Sequence, residues 1–266
     1  MTEPTRRRGR PRSTKDAAGT VQVLDRALDM LDLLAAHPGL TLSEVAERID
    51  QPPSTVHRLL HSMAARGIVE SDPATQAWNI GPATFRLGSA FMRRSGIVER
   101  ARPILQALMK HTGETANLGI LNGDAVLFVS QAETQETIRA FFPPGTRSPL
   151  HASGIGKALL AFGRPETLQA YLDGASLVRF TERTLATPDA LTADMARIRS
   201  RGFSFDDEER TRGMRCIAAP VFDLTGEAIA GVSVSGPTHR IGHEHVKTLG
   251  AVVAAAAAEL SHAMGG

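Results

Sequence analysis

Two capped, apolar-striped segments separated by four residues dominate the first quarter of the chain: "TLSEVAERI", then "DQPP", then "STVHRLLHSMAARG". In the first, Thr41 or Ser43 can cap a helix that turns Leu42, Val45, Ala46 and Ile49 inward. The second opens on small hydroxyl residues that can act as its cap and stops at Gly67, a natural residue to end a helix. Its buried face is Val56, Leu59, Leu60 and Met63. A preceding helical period carries Val23, Leu24, Ala27, Leu28, Leu31 and Leu34 on one stripe and is broken at Pro38-Gly39. Three helices with a tight turn before the last have the spacing of a helix-turn-helix. "IVES" and "AWNI" around "DPATQ" read as a β-hairpin wing behind it. In that geometry the start of the second helix meets base edges and phosphates of double-stranded DNA. Ser43, Ser54, Thr55, His57 and Arg58 are the candidates for contact.

Charge placement supports a polyanion partner. Residues 1–20 hold six basic side chains against two acidic ones, whereas the rest of the chain holds 24 against 26. This arm is expected to be disordered on its own. Its core, "RGRPR" at 8–12, is extended because Pro11 forbids helix and Gly9 removes bulk. Arg8, Arg10 and Arg12 could follow a narrow A·T minor groove, as an AT-hook does.

The remaining chain is of a different kind. "GPATFRLGSAFMRRSG" is expected to form a linker helix over 81–95, with Phe85, Leu87, Ala90 and Phe91 on an apolar side. From 96 to 266 helices mix with strands: "TANLGIL" and "DAVLFVSQA" around an Asn122-Gly123 hairpin turn, then "TIRAFF", "FSFDD", "CIAAPVFD", "AIAGVSVSG", and a last helix over about 243–263. The fold class is therefore α+β: a winged helix-turn-helix over 21–80, a linker helix, and a sheet domain flanked by helices. No run approaches the roughly 20 apolar residues that span a bilayer, and no apolar segment follows the basic start, so a cytoplasmic protein is expected.

"LHASGIGKALLAF", residues 150–162, resembles a nucleotide-gripping loop but fails its spacing. With Gly156-Lys157 as the GK pair, the first glycine position falls on His151 and the hydroxyl position on Ala158. The motif still opens a helix, and Gly154 and Gly156 leave first-turn amides free to hold a small anion. On the other reading, the glycines serve only close packing of helix on sheet. Lys157 is expected to point away, and most of the acidic run 206–209 to be solvated. Ser233 and Ser235 share one face of a strand, with Val232 and Val234 on the other. Cys216 is a lone cysteine without a resolving partner, and no catalytic serine motif is present, so no enzyme activity, cofactor or metal site is expected.

Taken in order, "VLDRALDMLDLLA", "LTLSEVAERI", "STVHRLLHSMAARGIVE", "TGETANLGIL", "PLHASGIGKALLAF", "RGFSFDDEE", "CIAAPVFD" and "VSVSGPTHR" resemble the IclR family of bacterial transcription regulators. Pro53 stands where many members carry a lysine. Within the family, "RRRGRPR", "GETANL" and "SVSGP" look most like the glyoxylate-responsive repressor of allantoin utilisation. The resemblance implies a GAF-like effector domain and a homodimer or homotetramer on a palindromic operator. It further implies a small carboxylate effector, glyoxylate first, with pyruvate or another small oxo-acid as alternatives. Carried over by motif, Gly154 and Ile155 would hold the carboxylate through their backbone. Asp206, Cys216, Ser233 and Ser235 would surround the other end, and Met214 would close the apolar side. Ile155, larger than the small residue common there, would restrict the ligand to two or three carbons. A cysteine-dependent GAF-like enzyme is the competing reading.

Overall fold

A computed structural model describes residues 21–174 and 176–266, except for the side chains of residues 92–95. The expected contacts of Arg8, Arg10 and Arg12 lie outside the described residues. The chain divides between Arg94 and Ser95 into two units, each with its own core.

The first unit contains α1 (Gln22–Ala36), α2 (Leu42–Arg48), α3 (Pro53–Ala64), β1 (Val69–Ser71), β2 (Trp78–Ile80) and α4 (Pro82–Ser95). Thr41 caps α2 in a reciprocal capping box: its hydroxyl accepts from Glu44 N–H, and the Glu44 carboxylate accepts from Thr41 N–H. Met30, Leu34, Val45, Val56, Leu60 and Trp78 form the core. Trp78 ties the hairpin to the loop before α2, since its N–H donates to Leu40 O at 2.8 Å.

Three expectations need correction here. Pro52 is the N-cap of α3 and Pro53 its first residue, so Ser54 and Thr55 sit inside the first turn and cap nothing. Of the α1 stripe, Val23, Leu24 and Leu28 are exposed, and Met30 and Leu34 carry the burial. The core-facing stripe is narrower than the apolar pattern: among the described residues, Met30 and Leu34 pack with α2, α3 and the wing. Phe85, Leu87 and Phe91 of α4 are also exposed, Phe85 to 80%.

The second unit runs α5 (Ile97–Thr112), β3 (Thr115–Asn122), β4 (Ala125–Ala132), β5 (Arg147–Pro149), α6 (Gly154–Phe162), α7 (Pro165–Gly174), α8 (Pro188–Arg201), β6 (Ser204–Asp207), β7 (Met214–Phe222), β8 (Ala228–Pro237) and α9 (Val246–Ala263). Its six strands form one antiparallel sheet in the order β5-β4-β3-β8-β7-β6. α5 and α9 pack on one face and α6 on the other, backed by α8. The expected strand over 137–142 does not form. Pro143 and Pro144 lack ladder donors, and the edge beside β4 is taken by β5 instead. Phe142 from this loop stacks on Phe128 with ring centroids 4.9 Å apart.

Candidate functional site: a polar row beneath a helix N-terminus

Strand register builds the site. Thr115 pairs with Ser235, Ser235 with Cys216, and Cys216 with Asp206, so four polar or sulfur-bearing side chains cross the sheet in one row. Two residues along, Asn117, Ser233, Ala218 and Ser204 form a second row on the same face. Gly119 and Gly231 stand opposite each other in the next row. α6 lies across all three. A Cβ on Gly231 would fall 2.7 Å from Ile155 Cγ2, so the paired glycines form the seat of the Ile155 side chain. Burying that side chain contributes about 1.5–3 kcal/mol.

The N-terminus of α6 therefore meets the first row. A Cβ on Gly154 would lie 2.6 Å from Cys216 Sγ, and one on Gly156 would lie 2.4 Å from the Leu150 carbonyl oxygen. The close-packing reading of the glycines is what these distances show. Gly156 is needed for packing and Gly154 for close approach to the row. Ser153 caps α6 by accepting from Gly156 N–H at 3.3 Å. Gly154 N–H is directed at the Cys216 sulfur, and Ile155 N–H finds no backbone acceptor among the described residues.

A cavity of about 270 Å³ opens in front of this terminus. That is just below the range of about 300–1,000 Å³ typical of small-molecule sites. Gly154, Asp206, Met214, Cys216 and Ser235 line it, as do Ser148, Ser153, Phe128, Phe142 and Arg210. Ser233 and the Ile155 side chain do not. Ser233 is wholly buried beside Asn117, and Ile155 points into the core. The size of Ile155 therefore sets no limit on ligand length. Ser153 was readable as a cap before a glycine-opened helix. Ser148 and Arg210 carried no local signal, and Thr115 joins the row only through strand register.

Cys216 is half-buried with its surface toward the cavity. Burial, and then the charge of Asp206, pushes its thiol up to about 11. A thiol that stays protonated at neutral pH is a polar lining group and a poor nucleophile. Arg210 donates to Ser148 Oγ at 3.0 Å and lies over the Phe180 ring at 5.4 Å. Arg139 pairs with Glu133, and Arg215 with Asp207. Arg210 is the lining cation with no carboxylate partner among the described residues, which favours an anionic occupant.

Lys157 does not face the cavity, yet it is fully buried. Its ammonium donates to Asp194 Oδ2 at 2.9 Å, to Glu209 Oε1 at 2.6 Å and to the Phe205 carbonyl at 2.6 Å. The acidic run is correspondingly not solvated, since Asp206 and Glu209 are buried and only Asp207 and Glu208 reach the surface. Burial raises Asp206 to about 6 and Glu209 to about 7 against the pull of Lys157. Asp194 feels burial too, but Lys157 and Arg197 outweigh it and hold its carboxyl low.

The sign for stability follows. A carboxyl with a raised folded-state pKa favours the folded state at low pH, and that contribution is lost as pH rises through 6 to 7. Asp194 works the other way, losing its contribution only in more acidic solution, and His151, held below its ordinary value by burial, offsets part of the trend on the acidic side of 6.5. Urea unfolding of this domain should therefore show higher stability at pH 5 than at pH 8. The slope is about 1.4 kcal/mol per pH unit for each proton released. Equal stability at the two pH values would contradict this.

In the first unit, Ser43, Ser54, His57 and Arg58 are exposed and Thr55 half-exposed. His57 and His61 rings approach to 4.1 Å, and His61 meets the Trp78 edge at 5.5 Å. The outer face of α3 is thus oriented by the wing.

Comparison with known proteins agrees with this architecture. The IclR helix-turn-helix domain matches residues 23–73, and the bacterial transcriptional regulator IclR C-terminal domain matches residues 89–262. The HTH-type transcriptional regulator BhcR of Paracoccus denitrificans is 62% identical, over 99% of this chain and 96% of that protein. The transcriptional repressor IclR of Escherichia coli is 38% identical, over 99% and 97%. The crystal structure of Thermotoga maritima IclR superposes with a TM-score of 0.77 at 29% identity, covering 93% of this chain and all of that one. With a helix-turn-helix in one unit and a cavity under a helix terminus in the other, the chain belongs to the IclR family of DNA-binding transcriptional regulators, with a C-terminal ligand-binding domain.

Proposed function

We propose that this regulator senses a small 2-oxo acid, glyoxylate first and pyruvate next, and changes its hold on a palindromic operator when the acid binds. The observation that carries the reading is the N-terminus of α6 at Gly154 and Ile155, set opposite Asp206, Cys216 and Ser235 in a small cavity. A helix N-terminus favours a carboxylate, and the hydroxyl, thiol and carboxyl groups suit a carbonyl or its hydrate. A role for Ser233 would be indirect, through the second polar row. The working division is an arm over 1–20, a DNA-binding domain over 21–80, a linker helix over 81–95 and an effector domain over 96–266, acting in the cytoplasm. Exposed Leu24 and Leu28 on α1 and Phe85 and Leu87 on α4 favour a homodimer, or a dimer of dimers, that covers them.

A mobility-shift assay on the DNA upstream of the gene, with and without glyoxylate, tests the effector reading. Operator affinity should change with glyoxylate, and pyruvate should act at higher concentration. No heat of binding and no change in the shift with either acid would reject it.

On the DNA side, Ser43, Ser54, Thr55, His57 and Arg58 form the contact set, with Arg8, Arg10 and Arg12 following the minor groove. Arg58→Ala should cost about 1–3 kcal/mol of operator binding if it reads a base, with most of that loss absent on random DNA. Equal losses on operator and random DNA would make Arg58 a phosphate contact. Deleting residues 1–12 should weaken both and flatten the salt dependence.

A further inference from the structure

Lys157 follows Gly154 by three residues, so both lie on one side of α6. The two groups it holds in the chain after β6 begins are the Phe205 carbonyl and the Glu209 carboxylate, and these flank Asp206. Glu209 N–H in turn donates to Asp206 Oδ1 at 2.8 Å. Ser204 Oγ donates to the Gly154 carbonyl at 2.6 Å. The cavity wall that carries Asp206 is therefore fastened to the helix whose first amides face the cavity, at Gly154 and again one turn on at Lys157.

The charges do not balance. Lys157 from α6 faces Asp194 from α8, Asp206 from β6 and Glu209 from the following loop. Arg197 and Arg201 attend Asp194, while Arg210 and Asp207 stand near Asp206, and Cys216 borders it on β7. Glu209 Oε2 is buried with no partner among the described residues. A bare carboxylate oxygen there is costly, and a proton on the Asp206–Glu209 pair relieves it.

We propose that Lys157 is a positioning residue of the effector pocket, acting through Glu209 and the Phe205 carbonyl to hold Asp206 at the cavity wall, and that the anionic effector enters together with one proton taken up by the Asp206–Glu209 pair. The inference rests on the small-acid reading above. An incoming carboxylate adds a negative charge beside carboxyls that already share one lysine. Neutralising one of them with a proton from solvent costs less than burying the extra charge. The raised values of Asp206 and Glu209 put the exchange in the range of pH 6–8, with uptake greatest on the alkaline side.

Titration calorimetry of the full chain with glyoxylate, in PIPES and in triethanolamine at pH 7.5, counts the protons. The heats should differ by close to one proton's worth of buffer ionisation. Affinity should weaken by up to about tenfold per pH unit above 7. Glu209→Gln keeps an oxygen for Lys157 but cannot ionise, so uptake should fall below half a proton with affinity within threefold of wild type. Glu209→Leu cuts the link from Lys157 and should weaken glyoxylate at least tenfold while operator affinity stays unchanged. The proton count in wild type and Glu209→Gln requires no variant that opens the core. Equal heats in the two buffers, unchanged uptake in Glu209→Gln, or wild-type affinity in Glu209→Leu each overturns the proposal and leaves the effector reading standing. No binding of glyoxylate or pyruvate to wild type rejects both.

Discussion

Lys157→Met lowers the unfolding free energy of the C-terminal domain by about 3–5 kcal/mol, the usual cost of removing one partner from a buried ion cluster. The methionine fills most of the volume, so little of the loss is cavity. It comes from Asp194 and Glu209, which lose a cation at 2.9 and 2.6 Å, and from the Phe205 carbonyl, which loses its donor. The deficit belongs to the stranded acids, so removing them reverses it. Lys157→Met combined with Asp194→Leu and Glu209→Met should regain most of the stability, because an apolar set of similar volume replaces an ion cluster at little or no cost. Chemical denaturation of the three proteins decides the matter. A triple variant no more stable than the single one would mean that the cluster contributes more through packing than through charge.

Lys157 also shows where the sequence stops being readable. Its place after two glycines suggests a ligand grip, and its helix position suggests a side chain turned away from the ligand. Neither reveals that Asp194, thirty-seven residues downstream, and Glu209 close over it. An acidic run such as "FDDEE" is solvated by default, and only the β6–β7 pairing turns Asp206 inward. Local patterns fared better where one element decides the outcome. The helix-turn-helix follows from caps and a 3.6-residue period, and the Ser233–Ser235 face from the alternation of a strand. The "TIRAFF" segment has strand composition, but which segment takes the free edge of β4 is a competition that composition alone does not settle. The row Thr115–Ser235–Cys216–Asp206 is likewise a product of register across four strands. The resemblance assigns roles to Asp206, Cys216 and Ser235, but gives none to Thr115, although it lies within "GETANL".

Gly154→Ala separates sensing from DNA binding. The new Cβ falls 2.6 Å from Cys216 Sγ and 3.4 Å from Ala218 Cβ. The thiol is the end of a short side chain and can rotate aside, so the domain survives with a loss of about 1–3 kcal/mol. The cavity is open space beside the displaced sulfur, which there meets Ser235 and the place an acid would take beside the amides. Affinity for glyoxylate should fall about a hundredfold, close to 2.7 kcal/mol. The helix-turn-helix unit has its own core and should bind operator as before. Adding Cys216→Ala removes the sulfur. The double variant should recover the stability lost to crowding, but not full affinity, since the thiol is itself part of the lining. Thermal shifts with and without glyoxylate, read beside a mobility-shift assay, distinguish these outcomes. A Gly154→Ala protein that still responds to glyoxylate at wild-type concentrations would move the carboxylate away from the start of α6, leaving Arg210 as its only remaining cationic anchor in the cavity without a carboxylate partner among the described residues.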